Sequence, residues 1–211
     1  MTSKFFFVIY PGSEFIKSIL DGMRLIADPS QKNFSHITVK GPYVTKQKKQ
    51  LIEDNELVKG KEIQVLGAGK FFANKQSTVF FRCEDDKELY EVWKSKKERT
   101  YKEFHPHITI YDGENREFAC KLFDTINSLD IHFYFVAKEL EMYASMHKKH
   151  MYNLKTQVKY PFISAVTRID ISQENIDSLS DNQRIVAIRR LCKTLKAVSK
   201  HKSGIIHLPH V

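Results

Sequence analysis

Hydrophobic and polar residues follow two different periods along this chain. In some segments apolar residues alternate with polar ones or form short β-branched and aromatic runs, which is typical of strands. These segments predict strands over residues 5–10, 34–40, 62–72, 77–83, 104–111, 131–136, 139–145 and 151–158. In others an apolar residue recurs every three or four positions, as on one face of a helix. That period predicts helices over residues 15–26, 45–58, 85–101, 114–128 and 172–202.

The order of these elements indicates an internal duplication. A strand, a helix, a second strand and a hairpin follow one another about twice, once before and once after residue 85. We therefore expect a two-lobed α+β domain over residues 1–160, with halves 1–84 and 85–160 around a central cleft.

Residues 161–211 are expected to form a helical C-terminal extension. An apolar stripe on its helix would stay exposed on its own, so we expect it to contact an oligomer partner or another protein. The stripe consists of Ile185, Ile188, Leu191, Leu195 and Val198, and the opposite face carries Arg184, Arg189, Arg190, Lys193 and Lys196.

Composition narrows the class of protein. The net charge of +9 attracts polyanions such as nucleic acids and nucleotides. The three cysteines are widely spaced and contain no C-x-x-C pair, which argues against a disulfide framework or a zinc ribbon and favours the cytoplasm. The apolar run over residues 5–10 is much shorter than the ~20 residues of a membrane span, so no membrane contact is expected.

A His-x-Thr tripeptide occurs twice, as His36-Ile37-Thr38 and as His107-Ile108-Thr109. Both copies lie inside predicted strands. Because side chains alternate along a strand, the histidine and threonine of each copy share one face while the isoleucine points to the core. If the two strands are neighbours, two imidazoles and two hydroxyls line one cleft.

This combination of groups fits phosphodiester cleavage without a metal. One imidazole can act as base and the other as acid near neutral pH, and hydroxyls can donate hydrogen bonds to the phosphoryl oxygens. His105 and His107 share a strand face and suit a metal by spacing, but no carboxylate or cysteine ligand stands at a matching distance along the chain. We therefore expect neither a metal nor a cofactor.

The two motifs, His36-Ile37-Thr38-Val39-Lys40-Gly41-Pro42 and Phe104-His105-Pro106-His107-Ile108-Thr109-Ile110-Tyr111, resemble the paired signatures of the two-histidine (2H) phosphoesterase superfamily. That superfamily includes 2′-5′ RNA ligase-like proteins and cyclic nucleotide phosphodiesterases. The resemblance covers about residues 4–160. It implies a bilobal fold of two antiparallel-sheet lobes with flanking helices, with His36, Thr38, His107 and Thr109 as catalytic positions.

Three further residues are candidates for substrate binding. Lys40 stands two positions beyond Thr38 and could add charge at the phosphate, while Tyr111 stands at the equivalent place beyond Thr109. Tyr111 or the nearby Tyr43 could stack on a base.

The leading hypothesis is a metal-independent phosphodiesterase that acts on a 2′,5′-linked or 2′,3′-cyclic phosphodiester of a nucleotide or short RNA. The alternatives are a ligase-like activity that forms 2′-5′ RNA linkages and a non-catalytic RNA- or nucleotide-binding module. Binding that depends on salt and occurs without turnover would indicate the latter.

Overall fold

The computed structural model describes residues 4–95, 103–145 and 154–199. Its strands are β1 (Lys4–Pro11), β2 (Ile37–Tyr43), β3 (Glu62–Phe72), β4 (Ser77–Cys83), β5 (His107–Gly113) and β6 (Phe133–Ser145). Its α-helices are α1 (Glu14–Ala27), α2 (Lys48–Val58), α3 (Lys87–Lys94), α4 (Arg116–Asn127), α5 (Leu154–Gln157), α6 (Tyr160–Thr167) and α7 (Asp181–Ser199). The predicted α+β class is confirmed.

The six strands form one closed antiparallel sheet in the order β1-β2-β5-β4-β3-β6. The hairpin of β3 and β4 has the bounds that the sequence predicts, 62–72 and 77–83. In this order β2 and β5, which carry the two His-x-Thr motifs, are direct neighbours. The topology therefore brings together segments that are 71 positions apart in the sequence.

Polar side chains cap the N-termini of two helices. Ser13 accepts a hydrogen bond from the Ile16 amide at the start of α1, and Asn115 accepts one from Phe118 at the start of α4. Such caps satisfy amides that have no partner inside the helix. The apolar face of α1 is then fully buried in the hydrophobic core with alternate residues of the strands.

Three predicted strands after residue 130 differ from the structure. Residues 154–157 of the predicted strand 151–158 form helix α5, while 151–153 lie outside the described residues. Strands predicted over 131–136 and 139–145 are one continuous strand, β6, because pairing with β3 and then β1 carries the ladder through the interval. The ends of two predicted helices, 96–101 and 200–202, lie outside the described residues.

The C-terminal extension packs on the rest of the chain. Ile188, Leu191 and Leu195 of the predicted apolar stripe are buried in the common core, so this face is covered within the chain itself. Arg184, predicted on the opposite face, is also buried: its guanidinium donates to the carbonyl of Ile26 at 2.6 Å, at the end of α1. None of the helices in the described ranges is both long and apolar enough to cross a membrane.

Candidate functional site

The pairing of β2 with β5 brings the two motifs together. Ile37 pairs with Ile108, and both isoleucines are fully buried. In an antiparallel pair, residues on either side of such a position lie opposite each other and share the other face. His36 therefore lies beside Thr109, and Thr38 beside His107. The four side chains, the His/Thr quartet, occupy the corners of a rectangle with the histidines on a diagonal.

Both imidazoles are fixed by the same local contact. Nδ1 of His36 lies 2.7 Å from the carbonyl oxygen of Phe34, and Nδ1 of His107 lies 2.7 Å from that of His105. Because a carbonyl oxygen only accepts, Nδ1 must carry the hydrogen and donate it. The nitrogen left for proton transfer is Nε2 in both rings.

Each motif strand contains a β-bulge one residue after its threonine. On β2, Thr38 and Lys40 stand opposite the consecutive residues Val8 and Phe7. On β5, Thr109 and Tyr111 stand opposite the consecutive residues Phe80 and Val79. An extra residue in one strand changes the facing of the residues that follow it.

The bulge on β2 turns Lys40 into the core, contrary to the expectation that it shares the face of Thr38. Lys40 is 2% exposed, and its ammonium lies 2.7 Å from Oδ2 of Asp54 and also donates to Ser95. It also lies over the ring of Phe7. The structure does not bring Lys40 to the His/Thr quartet.

Tyr111 is turned inward in the same way by the bulge on β5. Its ring is buried edge-on against Phe118, and its hydroxyl accepts a hydrogen bond from the amide of Asn115 at 3.0 Å. Tyr43 is half-buried, and its ring packs against Phe7 in the core with centroids 5.4 Å apart. Neither tyrosine presents a free ring face beside the quartet.

Tyrosines enclose His36. Its ring is stacked with Tyr143 at 5.8 Å between centroids and lies edge-on to Tyr10 at 5.9 Å. Burial lowers the pKa of His36 to about 4, and the positive charge of Arg24 acts in the same direction. The imidazole is therefore neutral at pH 7 in the free protein.

His107 lies beside phenylalanines on its more open side. The ring of Phe80 is 4.8 Å away and that of Phe71 is 6.0 Å away, edge-on. Burial also lowers the pKa of His107. Arg82 on β4 stands directly opposite His107 and is exposed, so its side chain shares the face of the quartet.

Helix α1 holds both motif segments with buried charged side chains. Arg24 donates to the backbone carbonyl of Thr109 at 2.7 Å, and Asp21 accepts from the backbone amide of Ser35 at 2.6 Å, next to His36. Burial raises the pKa of Asp21. One helix thus fixes the position of each half of the quartet relative to the other.

The described residues contain no group of three or more histidine, cysteine, aspartate and glutamate side chains that could hold a metal. Nε2 of His105 lies 3.0 Å from a carboxylate oxygen of Glu103, and both side chains are exposed. His105 acts on His107 through its backbone carbonyl instead.

The site therefore contains two imidazoles held through Nδ1, two hydroxyls and a nearby buried cation. Sequence reasoning missed Arg24, Phe71, Phe80 and Arg82. A basic residue inside the apolar stripe of α1 was a signal for Arg24, since a charged side chain on a buried helix face needs a partner. The other three become neighbours of His107 only through strand pairing.

No protein-family model matches the chain, and no curated protein matches it. The functional interpretation depends on the residues and their geometry.

Proposed function

We propose that the protein is a metal-independent phosphodiesterase acting on a 2′,5′-linked or 2′,3′-cyclic phosphodiester of a nucleotide or short RNA. The observation that carries this proposal is the matched presentation of His36 and His107 on one sheet face, each with Nδ1 bound to a carbonyl. Thr38 and Thr109 complete the set of groups that an in-line displacement at phosphorus requires.

Two proton transfers accompany the displacement. One imidazole removes the proton from the attacking water or ribose hydroxyl as the new P–O bond forms. The other gives a proton to the ribose oxygen as the old P–O bond breaks. The threonine hydroxyls donate hydrogen bonds to the non-bridging oxygens, where negative charge grows.

We assign the base to His36 and the acid to His107. Enclosure by tyrosines and the charge of Arg24 keep His36 unprotonated, as a base must be before reaction. His107 lies on the more open side, and the negative charge of Asp112 raises its pKa against the lowering effect of burial. Binding of an anionic diester raises the pKa of both imidazoles, which allows His107 to take up the proton that it later delivers.

The expected arrangement of the halves and the expected location follow from the same proposal. The repeated bulge and the repeated histidine contact support a duplicated, 2H phosphoesterase-like arrangement, but the strands of both halves form one closed sheet and not the two separate sheet lobes expected from the sequence. The three cysteines are free thiols, two of them buried, which supports a reducing cytoplasmic location.

Activity on a small panel tests the proposal. The substrates are a 2′,5′-linked adenosine dimer, adenosine 2′,3′-cyclic phosphate and a 3′,5′-linked dimer, each with and without EDTA. We expect turnover of at least one of the first two with EDTA present, and a loss of about 10²–10⁴-fold in His36→Asn and His107→Asn. His132→Asn is the matched control, because His132 is exposed and contacts Asp130.

Loss of turnover on chelation, or full activity in both histidine variants, would overturn the proposal. Binding of the dimers that weakens with salt and is never followed by cleavage would identify a nucleotide-binding module instead. Two features weaken that alternative: Lys40 and Arg184 are buried, so they add nothing to a basic surface.

A further inference from the structure

One face of the sheet continues from the quartet across β4 and β3. Phe80 stands opposite Thr109, and Gly69 on β3 stands opposite Phe80. Phe71 follows two positions after Gly69 and shares its face. The quartet, Phe80 and Phe71 therefore form one continuous surface.

Phe71 stacks on Phe80 with centroids 4.6 Å apart and an interplanar angle of 29°. One face of its ring is therefore covered. The side chain is nevertheless 49% exposed, so the opposite face and the edges of the ring are open to solvent. A single exposed phenylalanine is ordinary on a protein surface, but this one lies 6.0 Å from the ring of His107.

Gly69 provides the room for this stack. A Cβ at position 69 would lie 2.3 Å from Cε2 of Phe80 and 2.9 Å from Cγ of Arg82. With no side chain there, the Phe80 ring lies across β3 and supports Phe71 from below. The stem of Arg82 lies beside the same glycine, and its guanidinium donates a hydrogen bond to the carbonyl of Leu66 at 3.3 Å.

The opposite side of the quartet has different chemistry. There Val8 stands next to Thr38, and Glu141 stands next to Val8 on the same face. The rings near His36, Tyr10 and Tyr143, pack against that imidazole itself. An anionic chain that extends from the quartet towards β1 thus meets the carboxylate of Glu141. One that extends towards β4 and β3 meets the cation of Arg82 and the exposed ring of Phe71.

We propose that Phe71, supported by Phe80, is a stacking platform for one nucleobase of the substrate, and that the base on the other side of the scissile phosphate is not read. This rests on the proposed function, and it specifies the substrate class: a diester with a base on the His107 side. Stacking on a phenyl ring tolerates any base, since every base has a π face.

Three dimers test the platform: the 2′,5′-linked adenosine dimer and its two counterparts that each lack one base. Loss of the base on the His107 side raises KM about tenfold, in line with the usual contribution of one stacked base, while loss of the other changes KM less than about twofold. Phe71→Ala abolishes this difference, because it raises KM for the two dimers that carry the base on the His107 side. The kcat is unchanged. Phe71→Trp retains it.

Two further variants separate stacking from a general disturbance. Gly69→Ala displaces Phe80 without removing an aromatic ring, and we expect the same increase in KM. Tyr90→Ala removes an aromatic ring of similar exposure, 41%, on α3 and is expected to change nothing. Equal sensitivity to both missing bases, or an unchanged KM in Phe71→Ala, would overturn the platform.

Binding measurements keep the two proposals distinguishable. If the wild type cleaves none of the three dimers, calorimetric titration with the same dimers decides. Tighter binding that depends on one base and is lost in Phe71→Ala supports the platform although the proposed catalysis fails. Binding independent of both bases, or no binding, overturns the platform as well.

Discussion

His36 and His107 are held by the same backbone arrangement but stand in different surroundings. Each donates Nδ1–H to the carbonyl two residues earlier, and each motif strand has a bulge after its threonine. His36 is enclosed by tyrosines, whereas His107 faces an open aromatic surface. The common backbone presents two equivalent groups, and in the proposed mechanism the difference in their surroundings makes His36 the base and His107 the acid.

The largest expected effect tests the different roles proposed for His36 and His107. His36→Ala and His107→Ala each lower kcat on a nucleotide diester by about 10²–10⁴-fold. A 4-nitrophenyl diester of adenosine 2′-phosphate needs no acid, because nitrophenolate leaves without a proton. We expect His107→Ala to recover most of its activity on that substrate while His36→Ala stays inactive, as followed by nitrophenolate absorbance. Recovery of both variants, or of His36→Ala alone, would contradict the assignment.

Lys40 and Tyr111 occupy equivalent positions, and their replacement is expected to affect stability but not catalysis. Lys40→Met leaves the carboxylate of Asp54 buried without its cation, which costs about 3–5 kcal/mol of unfolding free energy. Urea titration measures this cost. The kcat and KM of the folded fraction stay at the wild-type values, and an increase in KM alone would place Lys40 at the substrate after all.

The enclosure of His36 is also expected to make the stability of the protein depend on pH. The pKa of His36 is about 4 in the folded protein and 6.5 when unperturbed. The unfolded chain therefore binds the proton more readily between pH 6.5 and 4, so stability is full above pH 6.5 and falls as pH drops through that window. The contribution is about 3 kcal/mol.

His36→Asn isolates this contribution, since asparagine does not titrate and can still donate to the Phe34 carbonyl. Urea titrations at pH 6.5 and pH 4 are expected to show a smaller loss of stability in this variant than in the wild type. His107→Asn, on the open side, reduces the loss to a lesser degree. Equal losses in the wild type and His36→Asn would contradict the enclosure of His36.

The smallest effect is expected at Tyr111. Tyr111→Phe removes one hydroxyl that accepts from the amide of Asn115, at a cost of about 1 kcal/mol. Thermal unfolding detects this as a small decrease in Tm. Turnover is unchanged, because the hydroxyl lies in the core; a loss of activity comparable to that in the histidine variants would show that the ring reaches the site.

Local sequence patterns predicted the helices and strands better than they predicted which segments contact each other. The hairpin bounds and the face shared by each histidine and threonine follow from residues close in sequence. Lys40 and Tyr111 were misplaced because a bulge is a property of two paired strands and leaves no mark in the alternation of one. Arg184 was placed on a solvated face because its partner carbonyl, in Ile26, is 158 positions away.

The bulges also decide which positions can change without affecting the chemistry. Lys40 and Tyr111 face the core, where Lys40 contacts Asp54, Ser95 and Phe7, and Tyr111 contacts Asn115 and Phe118. Their identities are set by those partners and not by the ligand. In either half, the residue at this position can therefore be replaced together with its packing partners, in natural or designed sequences. Such a replacement leaves the positions of His36 and His107 unchanged.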